Sequence, residues 1–266
     1  MKKRPKVALV LGGGGALGFA HIGVIEELQK NHIPIDMVVG TSMGSIVGGA
    51  LACGKSIVEL KEFAKKLKTR HLFDLNLNFK GLLSGRSVVK VLKKVLPDID
   101  MKETKIPFIC NAVDLKSCKE VVLKEGSLIK NIRASISCPG VFTPVKYENM
   151  LLVDGGVVNN LAHDIARKNG ADIVIAVDVV TKTELNTQIK GVVGYVIQSW
   201  LIAQKELQAN KRKYYNVLIQ PELGKYTQYN FNGDVTDGII ELGKIAAQEK
   251  VAKIKELIAD FKGSCL

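Results

Sequence analysis

A serine at position 42 lies within residues 40–44, which read Gly-Thr-Ser-Met-Gly and match the pattern G-x-S-x-G. In this pattern the serine occupies a sharp turn between a strand and a helix, and its hydroxyl points into a cleft. Small residues are needed at both ends because the turn brings the two backbones close together. The N-terminus of the helix can then stabilise developing negative charge. An apolar strand is predicted before this turn and a small-residue helix after it, so we expect Ser42 to be a nucleophile supported by Gly40 and Gly44.

A glycine-rich segment at residues 12–18 follows the first predicted strand and reads Gly-Gly-Gly-Gly-Ala-Leu-Gly. Such a turn leaves several backbone N–H groups unpaired and converging. They could bind a dinucleotide pyrophosphate, since Gly13, Gly15 and Gly18 satisfy G-x-G-x-x-G, or the oxyanion of an acyl-transfer intermediate. In a dinucleotide fold an acidic residue closes the second strand, whereas Asp36 opens it and that strand ends in the serine turn. An oxyanion hole is therefore favoured, with the amides of Gly13, Gly14 and Gly15 as donors.

A carboxylate at position 154 follows a short predicted strand and precedes Gly155 and Gly156. A nucleophilic serine needs a proton acceptor, and a carboxylate at a strand end followed by glycines can approach it closely. The same tripeptide is also typical of an ordinary turn. His163 is the alternative base, because it keeps the order Ser, Asp, His of the α/β-hydrolases, but it is predicted to begin a helix that leads away from the turn.

The predicted elements alternate over the first 54 residues as strand, helix, strand, helix, which is typical of a parallel α/β arrangement. Later strands are predicted at 106–114, 120–123, 151–153, 173–179 and 217–221, and later helices at 57–67, 88–96, 129–136, 162–169, 191–213 and 236–261. We expect a three-layer α/β/α sandwich with a mostly parallel central sheet. The chain is predicted to form a single domain, 1–266, with a helical cap or insertion at about 55–105.

The net charge of +12, from 38 basic and 26 acidic residues, attracts anionic partners in general. No nucleic-acid-binding motif accompanies the charge and aromatic residues make up only 6%, so we expect no nucleic-acid partner. The helices predicted at 57–67 and 88–96 are basic on one face. They either cover the core with a solvated face or make peripheral contact with an anionic membrane surface.

Five cysteines, an odd number without CxxC spacing, indicate free thiols in a reducing compartment, so we expect a cytoplasmic protein. No metal site is predicted from them. The basic first residues and the apolar residues 7–20 have the outline of a secretory signal. Because the glycines there would make a poor membrane helix, we favour the strand, turn and helix instead.

The glycine-rich turn, the G-x-S-x-G pattern and the distant Asp-Gly-Gly occur in the order that resembles the patatin-like phospholipases, particularly the compact bacterial single-domain members. The resemblance continues through residues 132–145, 159–161 and 217–221. It implies a Ser42–Asp154 dyad instead of a triad, an acyl-enzyme that water hydrolyses, a lipid ester substrate, and no metal or cofactor. Leu17 is a departure, since the family usually has Arg or Lys there, and it puts the oxyanion site and the headgroup preference in doubt.

Three other functions remain open on sequence alone. The chain could hydrolyse soluble esters or thioesters, it could be a non-catalytic lipid-binding regulator on the same fold, or it could bind a dinucleotide. The sequence does not decide the acyl-chain length, the headgroup or the oligomeric state.

Overall fold

A computed structural model describes residues 4–67, 83–180, 191–211 and 213–262. The strands in these ranges are β1 (Val7–Leu11), β2 (Met37–Gly40), β3 (Phe108–Asp114), β4 (Lys119–Leu123), β5 (Val145–Tyr147), β6 (Met150–Asp154), β7 (Ile173–Val177) and β8 (Val217–Ile219). The helices are α1 (Ala20–Lys30), α2 (Met43–Ala52), α3 (Ile57–Lys66), α4 (Arg86–Val95), α5 (Leu128–Ser135), α6 (His163–Lys168), α7 (Gly191–Asn210) and α8 (Gly233–Ala259).

The strands form one sheet in the order β5-β6-β3-β2-β1-β7-β8, with β4 also paired to β3. Strands β3, β2, β1, β7 and β8 are parallel, whereas β4, β5 and β6 pair in antiparallel fashion. The central strand β1 is apolar throughout and fully buried, as a parallel strand covered on both faces requires. The predicted α/β class with a mostly parallel sheet is confirmed.

Helices cover both faces of the sheet. Leu9 and Leu11 point into the larger apolar cluster, which includes residues of α1, α2, α3, α5 and α8. Ala8 and Val10 point to the opposite face, where they join a smaller cluster with Ile165 of α6. Because side chains alternate along a strand, the five residues of β1 supply both layers. The result is the expected α/β/α sandwich.

The parallel topology brings the glycine-rich turn and the serine turn to one edge of the sheet. Leu11 at the end of β1 is paired in register with Gly40 at the end of β2, so the turns that follow them are neighbours. Asp154, at the end of β6, is paired with Ala112 of β3, two residues beyond the Cys110 that pairs with Gly40. Three segments that are far apart in sequence therefore meet at this edge.

Two details differ from the sequence-based expectations. Residues 16–19, predicted as the first turn of a helix over 16–30, belong instead to a separate 3-10 helix, Gly15–Phe19. The short strand β5 was not predicted; it forms a hairpin with β6 through a turn in which Glu148 has φ 52°. Helices α3 and α4 fall in the region predicted to be a cap, whose residues 68–82 lie outside the described residues. Within the described ranges, no helix combines the length and the hydropathy needed to cross a bilayer.

Candidate active site

Ser42 occupies a strained backbone position between β2 and α2. Its φ of 50° and ψ of −124° lie where residues with a side chain are rare, so the turn stores conformational strain. Hydrogen bonds hold this conformation: the Gly44 N–H donates to the carbonyl of Thr41 at 2.8 Å, and the Ser45 hydroxyl donates to the carbonyl of Ser42 at 2.6 Å. This is the geometry of a nucleophile turn, in which a serine is held at the tip between a strand and a helix.

The two glycines of the serine turn have no room for a side chain. A Cβ on Gly40 would lie 2.5 Å from the carbonyl oxygen of Gly44, and a Cβ on Gly44 would collide with the carbonyl of Leu11. The backbones of β1, β2 and α2 are therefore in direct contact. This close approach is the physical requirement that the sequence pattern indicated.

The glycine-rich turn presents two free amides beside Ser42. The N–H groups of Gly12 and Gly13 donate to the carbonyls of Val177 and Asn160, at 3.0 and 3.3 Å. No described residue accepts a hydrogen bond from the N–H of Gly14 or Gly15. All three predicted donors, Gly13, Gly14 and Gly15, line the same cavity as Ser42. Because Gly13 already has a partner, Gly14 and Gly15 supply the amides that an oxyanion could accept from.

The fourth glycine of this turn, Gly15, has φ +55°, which favours a residue without a side chain. A Cβ here would also collide with the carbonyl of Gln228. That carbonyl accepts the N–H of Ala16 at 2.9 Å, so the segment before α8 packs directly on the turn. Gly18 faces the Met43 side chain of α2 with no space between them.

Asp154 is almost fully buried, at 1% exposed, and lines the cavity that contains Ser42. Its Oδ1 accepts the N–H of Gly156 at 2.8 Å, and its own N–H donates to the carbonyl of Ser137 at 3.0 Å. Burial raises the pKa of Asp154 to about 7, and the nearby Ser42 hydroxyl and the Gly156 N–H oppose that rise. Oδ2 has no hydrogen-bond partner of ordinary geometry among the described residues, so it is free to accept a proton.

The turn after Asp154 is packed against polar side chains. A Cβ on Gly155 would collide with Asn111, and one on Gly156 would lie 2.5 Å from Nε2 of Gln204. Asn111 in turn accepts a hydrogen bond from the Thr41 hydroxyl at 2.8 Å. The serine turn and the aspartate turn are thus connected through side chains behind the cavity.

The cavity has a volume of about 260 Å³, and its polar groups are concentrated at the end formed by the serine and aspartate turns. The rest of the wall is apolar and comes from α3, α4, α7 and the loops after α5 and β8. Its apolar residues include Phe63, Leu67, Val88, Leu92, Val141, Phe142, Trp200, Leu201 and Phe231. A polar, reactive end and an apolar body suit a ligand that combines an ester with a hydrocarbon chain.

The model of the patatin-like phospholipase domain matches residues 9–167, more than half of the chain, and this range contains both Ser42 and Asp154. The chain belongs to the patatin-like phospholipase family. The resemblance of the three glycine-containing motifs to that family is confirmed.

Proteins from several organisms are similar in sequence to this patatin-like protein. Lysophospholipase NTE1 of Candida albicans is 35% identical over 65% of the chain, and patatin-like phospholipase domain-containing protein 6 of Mus musculus is 35% identical over 76%. An NTE family protein of Mycobacterium bovis is 37% identical over 65% of the chain. The chain spans 13%, 15% and 49% of the lengths of these three proteins.

A solved structure shares the fold of this patatin-like protein. VipD from Legionella pneumophila aligns over 94% of the chain and 67% of its own chain, with a TM-score of 0.65. The sequence identity is 15%, so the likeness shows the fold alone.

The candidate triad histidine, His163, does not line the cavity of this patatin-like protein. It is 2% exposed and its ring packs on Tyr214 and Tyr215, with the ring centroids 6.1 and 5.4 Å apart. Burial lowers its pKa to about 4. His21, by contrast, supports the glycine-rich turn, since its Nε2 lies 2.8 Å from the carbonyl of Gly12.

Asp36 lies at the wrong edge of the sheet for dinucleotide binding. It precedes β2, whereas the glycine-rich turn follows β1, and the two strands are parallel. Its carboxylate instead binds Arg4, at 2.6 and 2.7 Å, and the N–H of Val7 at 2.8 Å. These partners lower the pKa of Asp36 although its partial burial acts to raise it. Within the described residues, no cluster of three or more His, Cys, Asp or Glu side chains is arranged to hold a metal ion.

Leu17, where this family usually has a cation, is 3% exposed and belongs to the larger apolar cluster. It does not line the cavity. Leu17 is therefore a core residue, and it supplies no charged side chain to the amides of the glycine-rich turn.

Sequence reasoning missed Gln204 and gave Asn160 no role. Asn160 Nδ2 donates to the carbonyl of Gly13 at 3.1 Å, and Gln204 Nε2 donates to the carbonyl of Gly156 at 2.6 Å. Both side chains line the cavity and both are at least nine-tenths buried. The sequence signal that could have identified Gln204 is its position in a predicted helix, within a stretch that contains no charged residue.

Proposed function

We propose that this chain is a serine-dependent lipid acyl hydrolase in which Ser42 is the nucleophile and Asp154 is the base. The main support is that Ser42, Asp154 and the free amides of Gly14 and Gly15 line one end of an apolar cavity. Membership of a phospholipase family adds to it. The Candida relative is named a lysophospholipase, which favours phospholipids and lysophospholipids as the substrate class.

The proposed reaction has two steps. In the first, Ser42 Oγ attacks the ester carbonyl carbon while Asp154 takes the hydroxyl proton, and the Gly14 and Gly15 amides stabilise the oxyanion. Collapse of this intermediate breaks the bond to the alcohol, which leaves with the proton from Asp154. In the second, Asp154 takes a proton from water as the water attacks the acyl-Ser42 ester, and the fatty acid leaves as Ser42 Oγ regains a proton.

The buried environment of Asp154 suits this role. A general base works best when its pKa is near the operating pH, and burial raises the pKa of this carboxyl to about 7. The unpartnered Oδ2 is the atom that would accept the proton. Catalytic hydrogen bonds are often long before substrate binds, so the contact between Ser42 and Asp154 is expected to shorten when the cavity is filled.

The proposed setting is a reducing compartment with peripheral contact to an anionic membrane. Cys53, Cys110, Cys118 and Cys138 are free thiols, which supports a cytoplasmic location. Helix α4 contains Arg86, Lys90, Lys93 and Lys94 and no acidic residue, and all four side chains are exposed. Because α4 also forms part of the cavity wall, its charge would draw the cavity towards anionic headgroups.

Fluorophosphonate labelling and turnover of lysophosphatidylcholine test the proposal together. We expect the wild-type protein to be labelled and to release fatty acid, and Ser42→Ala to do neither. Labelling with turnover of short soluble esters or thioesters but none of lysophospholipid would favour the soluble-ester alternative. A folded wild-type protein that resists the probe would favour the non-catalytic regulator.

A further inference from the structure

The N-terminal half of α7 is an uncharged helix with apolar groups exposed to solvent. Residues 191–204 contain no Asp, Glu, Lys or Arg. Within this stretch Tyr195 is 58% exposed, Val196 46% and Ile202 54%. Apolar residues exposed singly are common, but a helix that exposes several without a charged neighbour in its own stretch indicates a binding surface.

The inner side of the same half-helix forms part of the cavity wall. Trp200, Leu201 and Gln204 all line the cavity beside Ser42. The outer side is continuous with this wall: Val196 Cγ1 lies 3.7 Å from the place that a Cβ of Gly140 would occupy, next to Val141 of the wall. Apolar surface therefore extends from the cavity to the solvent-exposed side of α7.

A lipid surface fits this helix better than a protein partner does. The cavity that α7 borders is mostly apolar, and Val88, Val91 and Leu92 of α4 line the same cavity. The basic residues of α4 lie on the exposed side of that helix. An exposed apolar helix and an exposed cationic helix that line one cavity complement the acyl region and the headgroups of a lipid layer. Tyr195 has an amphipathic ring of the kind that settles at the boundary between headgroups and acyl chains.

We propose that the outer face of α7, formed by Tyr195, Val196 and Ile202, inserts into a lipid surface and opens the cavity directly to its acyl region. An acyl chain then reaches Ser42 along an apolar path without crossing water. The inference rests on the proposed function in one respect, namely that an acyl chain moves from the lipid surface to Ser42. It adds an apolar insertion element to the electrostatic attraction of α4.

Trp200 makes the insertion measurable in the unmodified protein, because it is the one tryptophan of the chain. We expect its fluorescence to shift to the blue and to be quenched by vesicles of brominated phosphatidylcholine. Since insertion is apolar, both effects should persist on these zwitterionic vesicles in high salt, where attraction through α4 is screened. No quenching, together with no co-sedimentation, would overturn the proposal.

A triple variant, Tyr195→Ser with Val196→Ser and Ile202→Ser, tests the surface itself. We expect its partitioning onto phosphatidylcholine vesicles to weaken by about a hundredfold, because three apolar side chains lose their favourable transfer into lipid. The matched control replaces three other exposed apolar residues, Leu115, Val122 and Ile245, which are 41–48% exposed, with serine and should bind like wild type. Turnover of a short soluble ester should remain in both variants, which shows that the fold and the site are intact.

The same measurements separate the two proposals and the other occupants. If Ser42→Ala inserts normally while no form of the protein hydrolyses any ester, the insertion stands and the hydrolase function fails. If the triple variant converts a dimer to a monomer in sedimentation velocity and leaves vesicle binding unchanged, a second copy covers α7 and the lipid proposal is wrong.

Discussion

Gln204 of α7 donates a hydrogen bond of 2.6 Å to the carbonyl oxygen of Gly156, the residue whose N–H binds Asp154 Oδ1 at 2.8 Å. The amide of Gln204 also lies 3.4 Å from Oδ1 of Asn160, which holds the carbonyl of Gly13 through its Nδ2. One buried side chain thus links α7 to the turn of the candidate base and, through Asn160, to the glycine-rich turn. Movement of α7 would be transmitted to both.

Replacing Gln204 with alanine is expected to lower kcat for a short soluble ester about tenfold, because one hydrogen bond that orients the Asp154 turn is lost. The KM should change less, since that turn orients a proton acceptor more than it binds substrate. Asn210→Ala is the control: Asn210 lies on the same helix, and its Nδ2 donates to the carbonyl of Glu206 at 3.0 Å on the exposed side of that helix. Equal kcat values in the two variants would show that Gln204 is only structural.

Replacing His163 with alanine is expected to leave turnover of the same ester within about threefold, whereas a triad member costs a thousandfold or more. The reason is its position: His163 packs on Tyr215 and does not line the cavity. Steady-state kinetics of the folded variant decide the matter. A loss of three orders of magnitude would return His163 to the mechanism as the base.

Local sequence patterns predicted the central elements well because each carries its own signal. The apolar run of β1 followed by four glycines, and the strand that ends at Gly40, are readable within a dozen residues. The order of the motifs then allowed the family to be recognised. Those signals were enough to predict the class of the fold and to select Ser42 and Asp154, whose catalytic roles stay predictions.

The contacts that local patterns could not predict are those between distant segments. Gln204 and Gly156 are 48 residues apart, and nothing near either residue indicates that they meet. The hairpin of β5 and β6 was missed in part because β5 has only three residues, among them a lysine. The partner of the Gly13 N–H, the carbonyl of Asn160, is also distant in sequence, so the division of the three amides into one engaged and two free required the structure.

Replacing Ser42 with glycine is expected to abolish turnover and yet give a more stable protein than Ser42→Ala. A residue with a Cβ is strained at φ 50° and ψ −124°, and glycine adopts these angles at little cost. After the greater chain entropy of unfolded glycine is subtracted, the difference should be about 1 kcal/mol. Urea denaturation of both variants measures it. If the alanine variant is as stable as the glycine variant, the backbone at position 42 is not strained.

The pH dependence of activity tests Asp154 as the base. Because burial raises its pKa to about 7, kcat/KM for a soluble ester should rise with pH and reach half its maximum near pH 7. Asp154→Asn should show almost no turnover at any pH. A wild-type profile that is flat between pH 5 and 8, or an active Asp154→Asn variant, would assign the base to another group.

The same raised pKa makes a prediction about stability, with a definite sign. The folded state holds the Asp154 proton more tightly than the unfolded state, whose carboxyl has the ordinary pKa of 3.8, so this group destabilises the fold increasingly as the pH rises from about 4 to 7. Asparagine cannot ionise. The stability of Asp154→Asn relative to wild type should therefore increase by about 3 kcal/mol between pH 5 and pH 8 in urea denaturation. Asp114→Asn is the matched control, because hydrogen bonds from Leu151 and Ser117 lower the pKa of Asp114 to about 2 and it stays ionised over this range. If the two variants show the same change with pH, the Asp154 carboxyl is not held in a buried, proton-retaining environment.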